Sequence, residues 1–249
     1  MINKVSIITP SYNSSQFIKE TIQSVLDQTY QNWEMIIVDD CSTDNTESIV
    51  FQYMKKDKRI KFLKNEINSG PAISRNKAIK KAKGRFVSFL DSDDLWKQDK
   101  LEKQIEFMIS NNYPFTFSYY SQINENGGFL KKIDNLPLRV SYKSSMKSNK
   151  IGCLTAVYDT EFFGKVFMEN LVNRQDYTLW LKLLKKNKYA YCCPHILAEY
   201  RIRNNSISSN KIKLIKYHWH IYKNIEKQNF FISFYYLSNY ILNKFFINK

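Results

Sequence analysis

A chain of 249 residues, 43% hydrophobic and 24% charged, can bury a domain-sized core, which excludes a disordered or fibrous protein. The net charge of +15 at pH 7 points to an anionic partner: nucleic acid, a phosphorylated substrate or an acidic membrane surface. Cys41, Cys153, Cys192 and Cys193 lack Cys-X-X-Cys spacing and read as reduced thiols; His195 beside the adjacent pair gives poor zinc spacing, and no apolar run approaches the ~18–20 residues of a membrane span.

The chain enters a strand at once, with no apolar signal region, so a cytoplasmic protein is expected. Residues 5–8 are apolar and end in the turn formers Thr9, Pro10, Ser11, Tyr12 and Asn13. Phe17, Ile18, Ile22, Val25 and Leu26 follow at helical spacing. A second strand over residues 35–38 ends in Asp39 and Asp40. Asp44 and, three residues on, Glu47 predict a capping box on the next helix. Residues 60–63 form a third strand, and Gly70 and Pro71 open a helix carrying Ala72, Ile73, Ala78 and Ile79. A fourth, aromatic-rich strand over residues 86–90 runs straight into Asp91, Asp93 and Asp94, with another helix expected near Trp96.

This alternation predicts an α/β fold: a mostly parallel sheet flanked by helices, with ligands beyond the carboxyl ends of its strands. Tyr12, Asn13, Asp39, Asp40, Asp91 and Asp93 all collect at those ends. Three carboxylates within four residues repel one another, and burial adds to the cost. A divalent cation relieves it, and hard oxygen ligands suit Mg²⁺ or Mn²⁺. An acidic turn capping the next helix is the plainer alternative. Neither a G-x-G-x-x-G fingerprint nor a P-loop is present, so a nucleotide would be held by other means.

The second half is less regular. Residues 115–120 read as a strand, Asn124, Glu125, Asn126, Gly127 and Gly128 as a hairpin turn, residues 134–150 as a polar, mobile loop and residues 151–158 as another strand. Residues 173–181 open an amphipathic helix. From Lys211 onward Lys, Tyr, Phe, Trp and Ile dominate in two predicted helices broken near Gln228 and Asn229. Trp219 and the aromatics between Phe230 and Phe246 suit in-plane attachment to an anionic membrane, packing on the preceding domain, or a homodimer interface. The expected organisation is a catalytic domain over residues 1–208 and a basic aromatic helical tail over residues 209–249.

Five motifs in order carry a resemblance. They are residues 5–13 (VSIITPSYN), residues 24–30 (SVLDQTY), residues 37–44 (IVDDCSTD), residues 68–78 (NSGPAISRNKA) and residues 89–94 (FLDSDD). Together they resemble glycosyltransferase family 2, closely over residues 3–110 and more thinly to Ser208. The resemblance implies a GT-A fold, a nucleotide-diphosphate sugar donor (a UDP-sugar), Mn²⁺ or Mg²⁺ as cofactor, and inversion at the anomeric carbon.

Carried over, Asp40 accepts from the uracil N3–H, Pro10 and Tyr12 pack against the base, and Arg75 faces the nucleotide diphosphate. Asp93 is the principal metal ligand, and Asp91 meets the ribose or the metal through water. Asp176 falls on the catalytic base, preceded by Gln175 where the family usually has Glu. The segment from Glu199 to Ser208 is similar to the family's Tyr-Arg-x-His-x-x-Ser-x-Ser ending, with Arg203 where His is common and able to face the donor diphosphate. A saccharide or lipid-linked acceptor of bacterial surface polysaccharide assembly, met at the inner face of the membrane, completes the expectation. Two other classes compete. A nucleotidyltransferase would bring a glycine-rich loop near the first strand, which is absent; a nucleic-acid binder would cluster its basic residues, which here spread over the whole chain, so no nucleic-acid partner is expected.

Overall fold

The computed structural model describes residues 3–203 and 211–243. In order they form β1 (Val5–Ser11), α1 (Ile18–Leu26), β2 (Trp33–Asp39), α2 (Thr46–Lys56), β3 (Ile60–Lys64), α3 (Pro71–Lys81), β4 (Phe86–Phe89), β5 (Leu95–Trp96), α4 (Lys100–Asn111), β6 (Phe115–Ile123) and β7 (Phe129–Ile133). Then come β8 (Arg139–Val140), α5 (Tyr142–Lys147), β9 (Val157–Asp159), α6 (Thr160–Phe163), α7 (Gln175–Lys186), β10 (Ala190–Arg201), α8 (Lys211–His220) and α9 (Phe230–Leu242).

The N-terminal alternation folds as the pattern predicts. β1 lies between β2 and β4, and β3 flanks β2, all parallel. Successive residues face opposite sides of the sheet. Ile8, Ile36, Val38, Val87 and Phe89 meet α3 and α7 on one side, through Ala78, Ile79, Leu179, Trp180 and Leu183. Val5, Ile7, Met35, Ile37 and Phe86 meet α1, α2 and α4 on the other, through Ile18, Ile22, Val25, Val50, Leu101 and Ile105. Burial on both faces is the reason these strands read as unbroken apolar runs. Past β4 the sheet becomes mixed: β9 runs antiparallel to β4 and β6, β10 parallel to β6, and β5, β7 and β8 add antiparallel edges.

Four local expectations are corrected. The capping box of Asp44 and Glu47 does not form. Asp44 accepts from Thr46 N, Thr46 Oγ1 and Ser15 N (3.0, 2.6 and 2.9 Å), tying the α1 entry to α2, while Glu47 pairs with Lys64. No helix starts near Trp96; Leu95 and Trp96 pair with β10, and α4 begins at Lys100. Residues 134–150 are not simply a loop: they contain β8 and α5, which is capped by Ser141 and Ser144 and buries Met146 completely. Residues 151–158 are a strand only at their end. Trp96 Nε1 and Gln104 Nε2 take the Leu154 and Thr155 carbonyls (both 2.9 Å), so Cys153–Thr155 form a 3₁₀ turn instead of a ladder.

The hairpin turn forms as read, with Asn124 Oδ1 accepting from Asn126 N and Gly128 N (3.0 and 2.8 Å) and Gly127 at φ +82°. The tail breaks where expected. α8 continues into a π-helical turn (Ile221–Ile225), and Asn229 Oδ1 accepts from Ile232 N (2.9 Å) to start α9. Its inner side joins Met146 of α5 and Tyr177 and Leu181 of α7 in a separate apolar cluster with Ile221 and Tyr222. Among the described residues, no helix is long and apolar enough to cross a membrane.

Candidate active site

Because β1, β2 and β4 are adjacent and parallel, the residues after them meet on one rim. Ser11 lies beside Asp39 in the ladder, Asp40 N donates to Ser11 O (2.8 Å), and Leu90 N donates to Ile8 O (3.0 Å). Asn13 and Cys41 take positive φ at the two strand exits, and Asn13 Oδ1 accepts from Thr43 N (2.8 Å), clamping the loops together. Pro10 closes β1 half-buried, while the Tyr12 side chain stands 52% exposed above the rim. Asp40 is buried and accepts from Asn65 Nδ2 (2.7 Å), Ser69 N (2.9 Å) and Gly70 N (2.7 Å). A carboxylate offers about four acceptor directions, so one remains. Gly70, at φ +85°, brings the α3 entry onto Asp40, with Pro71 at the first helical position.

Arg75 sits one turn into α3 but is buried, not solvated. It is ion-paired to Asp91, while its Nε and Nη1 are buried without a partner. Burial works against its charge, but Asp91, with help from Asp176, outweighs this and raises its pKa. Across the rim, Asp93 accepts from Arg203 Nη1 at 2.9 Å. Burial, then the charge of Asp91, pushes the Asp93 carboxyl up despite Arg203. Asp94 is more deeply buried, and burial followed by the charges of Asp93 and Asp91 pushes it well up; its Oδ1 accepts from Arg201 N at 2.8 Å.

Asp176 is the second residue of α7. The N-cap is Arg174, in a left-handed conformation and without a side-chain capping bond, so Asp176 does not cap the helix. Its charge is felt at both Arg75 and the half-buried Cys153. Burial raises the Cys153 thiol well above its ordinary value, against the pull of Arg75. Gln175 is buried with Oε1 unpartnered, and the Arg174 Nε is in the same condition. Unpaired buried polar atoms are costly in a folded chain, and a polar ligand at the start of α7 would relieve that cost.

The structure therefore gathers Pro10, Tyr12, Asp40, Arg75, Asp91, Asp93 and Arg203 at the rim beyond the strand ends, with the charge of Asp176 felt at Arg75. Sequence reasoning passed over Arg201. Its Nε donates to Asp93 O (2.8 Å), Nη1 to Glu125 O (2.8 Å) and Nη2 to Glu20 Oε2 (2.7 Å), while its guanidinium lies 5.0 Å from the Phe17 ring. One buried arginine thus fixes the backbone of the acidic loop. The Tyr-Arg pair at the end of β10 was the available signal. Asn204 through Ser208 lie outside the described residues, as do Lys244, Phe245 and Phe246. Among the described residues no three His, Cys, Asp or Glu side chains form a metal cage. Asp91 and Asp93, the latter strained by burial and like charge, fit a cation whose other ligands are waters and phosphate oxygens.

Comparison with known proteins gives the family and the fold. Residues 6–166 match the family model described as Glycosyl transferase family 2. The chain is 51% identical over 226 residues to the protein of Bacillus subtilis assigned as teichuronic acid biosynthesis glycosyltransferase TuaG, covering 91% of this chain and 90% of that one. It is 44% identical to UDP-Glc:alpha-D-GlcNAc-diphosphoundecaprenol beta-1,3-glucosyltransferase WfgD of Escherichia coli, covering 96% and 92%. Among solved structures, S. aureus TarS in complex with UDP-GlcNAc shares the GT-A fold, with TM-score 0.76 and 23% identity over 97% of this chain and 73% of that one.

Proposed function

The chain belongs to glycosyltransferase family 2, and from that premise we propose that it moves a hexose from a UDP-sugar to a hydroxyl of a saccharide carried on a lipid diphosphate. The reaction serves bacterial surface polysaccharide assembly at the cytoplasmic face of the membrane. One observation carries the reading: 44% identity along nearly the whole of both chains to a glucosyltransferase whose acceptor is GlcNAc-diphosphoundecaprenol.

The rim supplies the parts. Asp40 holds the uracil N3–H with the acceptor direction its three present donors leave open, and Pro10 and Tyr12 flank the base. Arg75 turns its two unpartnered nitrogens, Nε and Nη1, to the diphosphate. A divalent cation on Asp93, with Asp91 beside it, would neutralise charge developing on the departing UDP. Arg203, paired with Asp93 at 2.9 Å, would stand within reach of the phosphates. Asp176 takes the proton of the acceptor hydroxyl as that oxygen attacks the anomeric carbon from the face opposite UDP, which inverts the configuration.

The test is UDP release across a panel of UDP-sugars, with synthetic GlcNAc on a short-chain lipid diphosphate as acceptor. Turnover with a UDP-hexose, dependent on the acceptor, is expected. No UDP formed from any donor, or turnover only with a donor built on another nucleotide, overturns the reading.

A further inference from the structure

α9 has two apolar sides, and among the described residues one is packed inward while the other is largely exposed. Its sequence from Phe230 to Leu242 contains no charged residue. Ser233 and Tyr240 are buried, and Tyr236 and Leu237 pack on the cluster that includes Tyr177 and Tyr222. The opposite side carries Phe230, Phe231, Phe234, Tyr235 and Leu242, each at least half exposed and Phe231 at 82%. Spacings of three, four and eleven from Phe231 put Phe234, Tyr235 and Leu242 on one stripe. An exposed patch of this kind marks a surface that meets something.

The charges around it say what. The only acidic residue between Lys211 and Asn243 is Glu226, and it is buried and paired with Lys185 (2.6 Å). Lys147, on the adjoining α5, holds its Nζ 5.6 Å from the Tyr235 ring centre, and Lys143, Lys223 and Lys227 are exposed nearby in sequence. A second copy would set this positive border against itself in a chain already at +15. An anionic bilayer complements it. As described, the thirteen residues of α9 reach about 20 Å, short of the ~30 Å hydrocarbon core, a length suited to lying in the interface.

We propose that the exposed aromatic stripe of α9, bordered by Lys147 and the tail lysines, docks the enzyme in-plane on an anionic membrane surface. The inner side of the same helix packs on Tyr177, the residue after Asp176, so docking fixes the start of α7 relative to the bilayer that carries the acceptor. The functional benefit rests on the lipid-linked acceptor proposed above; the binding itself does not.

The experiment is co-sedimentation of the full chain with phosphatidylglycerol vesicles and, in parallel, phosphatidylcholine vesicles, without donor or acceptor. Binding to the anionic vesicles, weakened by salt, is expected. Phe231→Ser with Phe234→Ser should lower it by about tenfold or more, and Lys147→Ala by about fivefold. Both phenylalanines are exposed, so thermal unfolding and turnover on a water-soluble acceptor should stay at wild-type level in the double variant. Binding equal on the two vesicle types, or absent from both, overturns the proposal. So does a dimer in light scattering that the double variant converts to monomer, which would assign the stripe to a second copy. Vesicle binding without any sugar transfer would leave this proposal standing and remove the acceptor reading instead.

Discussion

At the carboxyl ends of β1 and β2 the rim is held by hydrogen bonds that tie the loop after one strand to the next: Asn13 to Thr43, Asp44 to Ser15 and Thr46, Asp40 to Ser69 and Gly70. The start of α7 is held differently. That end rests on ring against ring, with His218 stacked on Tyr240 at 3.7 Å between centres, and on hydroxyls reaching carbonyls of α5, Tyr177 to Ser145 O (3.0 Å) and Tyr222 to Met146 O (2.8 Å). A hydrogen-bonded rim pre-sets charged groups for a nucleotide; a packed aromatic layer sets a helix at a fixed height above it. The two regions should therefore fail differently.

The largest expected effect lies at the meeting of the two. Asp93→Ala should cost ~10³-fold in turnover, about 4 kcal/mol, on the scale of a lost metal contact. It should also abolish the strengthening of UDP binding by Mn²⁺ or Mg²⁺ in calorimetry. Undiminished wild-type turnover in EDTA would remove the metal from the scheme.

Next is Tyr222→Ala in the packed layer. Tyr222 is fully buried, and emptying such a site costs about 3 kcal/mol or somewhat more. A lowered denaturant midpoint with unchanged UDP affinity would show the regions to be separable; loss of both together would make them one unit. Removing the tail altogether is the coarser version, because its inner side covers Tyr177 and Leu181.

Asp176→Asn should lower kcat by ~10²-fold, about 2.7 kcal/mol, and leave donor binding intact. Asp176 lies in the first turn of α7, so losing its charge should cost stability only on the order of 0.3–1 kcal/mol. A variant that keeps its kcat moves the base elsewhere.

The smallest effect is in stability against pH, and the carboxylates differ in sign. Asp93 and Asp94 have folded pKa values raised from 3.8, by burial first and like charge second. They bind protons more tightly when folded, so they favour folding at low pH and oppose it as pH climbs from 3.8 through their raised values. Burial opposes the Asp44 charge, but bonds from Thr46 and Ser15 win and hold it at about 2. Its contribution is complete above 3.8 and is lost as pH falls through about 2. In metal-free thermal unfolding, Asp94→Asn, which keeps an acceptor for Arg201 N, should be more stable than wild type at neutral pH, with the gain fading on acidification. Asp44→Asn should be less stable at neutral pH, with the deficit fading towards pH 2. Parallel curves for wild type and Asp94→Asn would mean that Asp94 ionises like an exposed carboxyl.

The parallel half of the sheet and its acidic rim were legible in the chain itself. Strands buried on both faces must be apolar throughout, and the polar residues that follow each one can only lie at its carboxyl end. Asp40, Asp91 and Asp93 are consequences of that local order. What tertiary structure decided are the positions set by partners far away in the chain. Arg75 looks like any helical arginine until Asp91 pairs with it, and Arg201 is ordinary until Glu20 and Glu125 arrive. The strand expected over residues 151–158 yields because Trp96 and Gln104 claim its carbonyls. α5 emerges from a polar stretch because Met146 finds Tyr177 and Tyr222. In α9, apolar on every side, composition could not say which side packs; the neighbouring helices chose the face with Tyr236 and Tyr240 and left the phenylalanines outside.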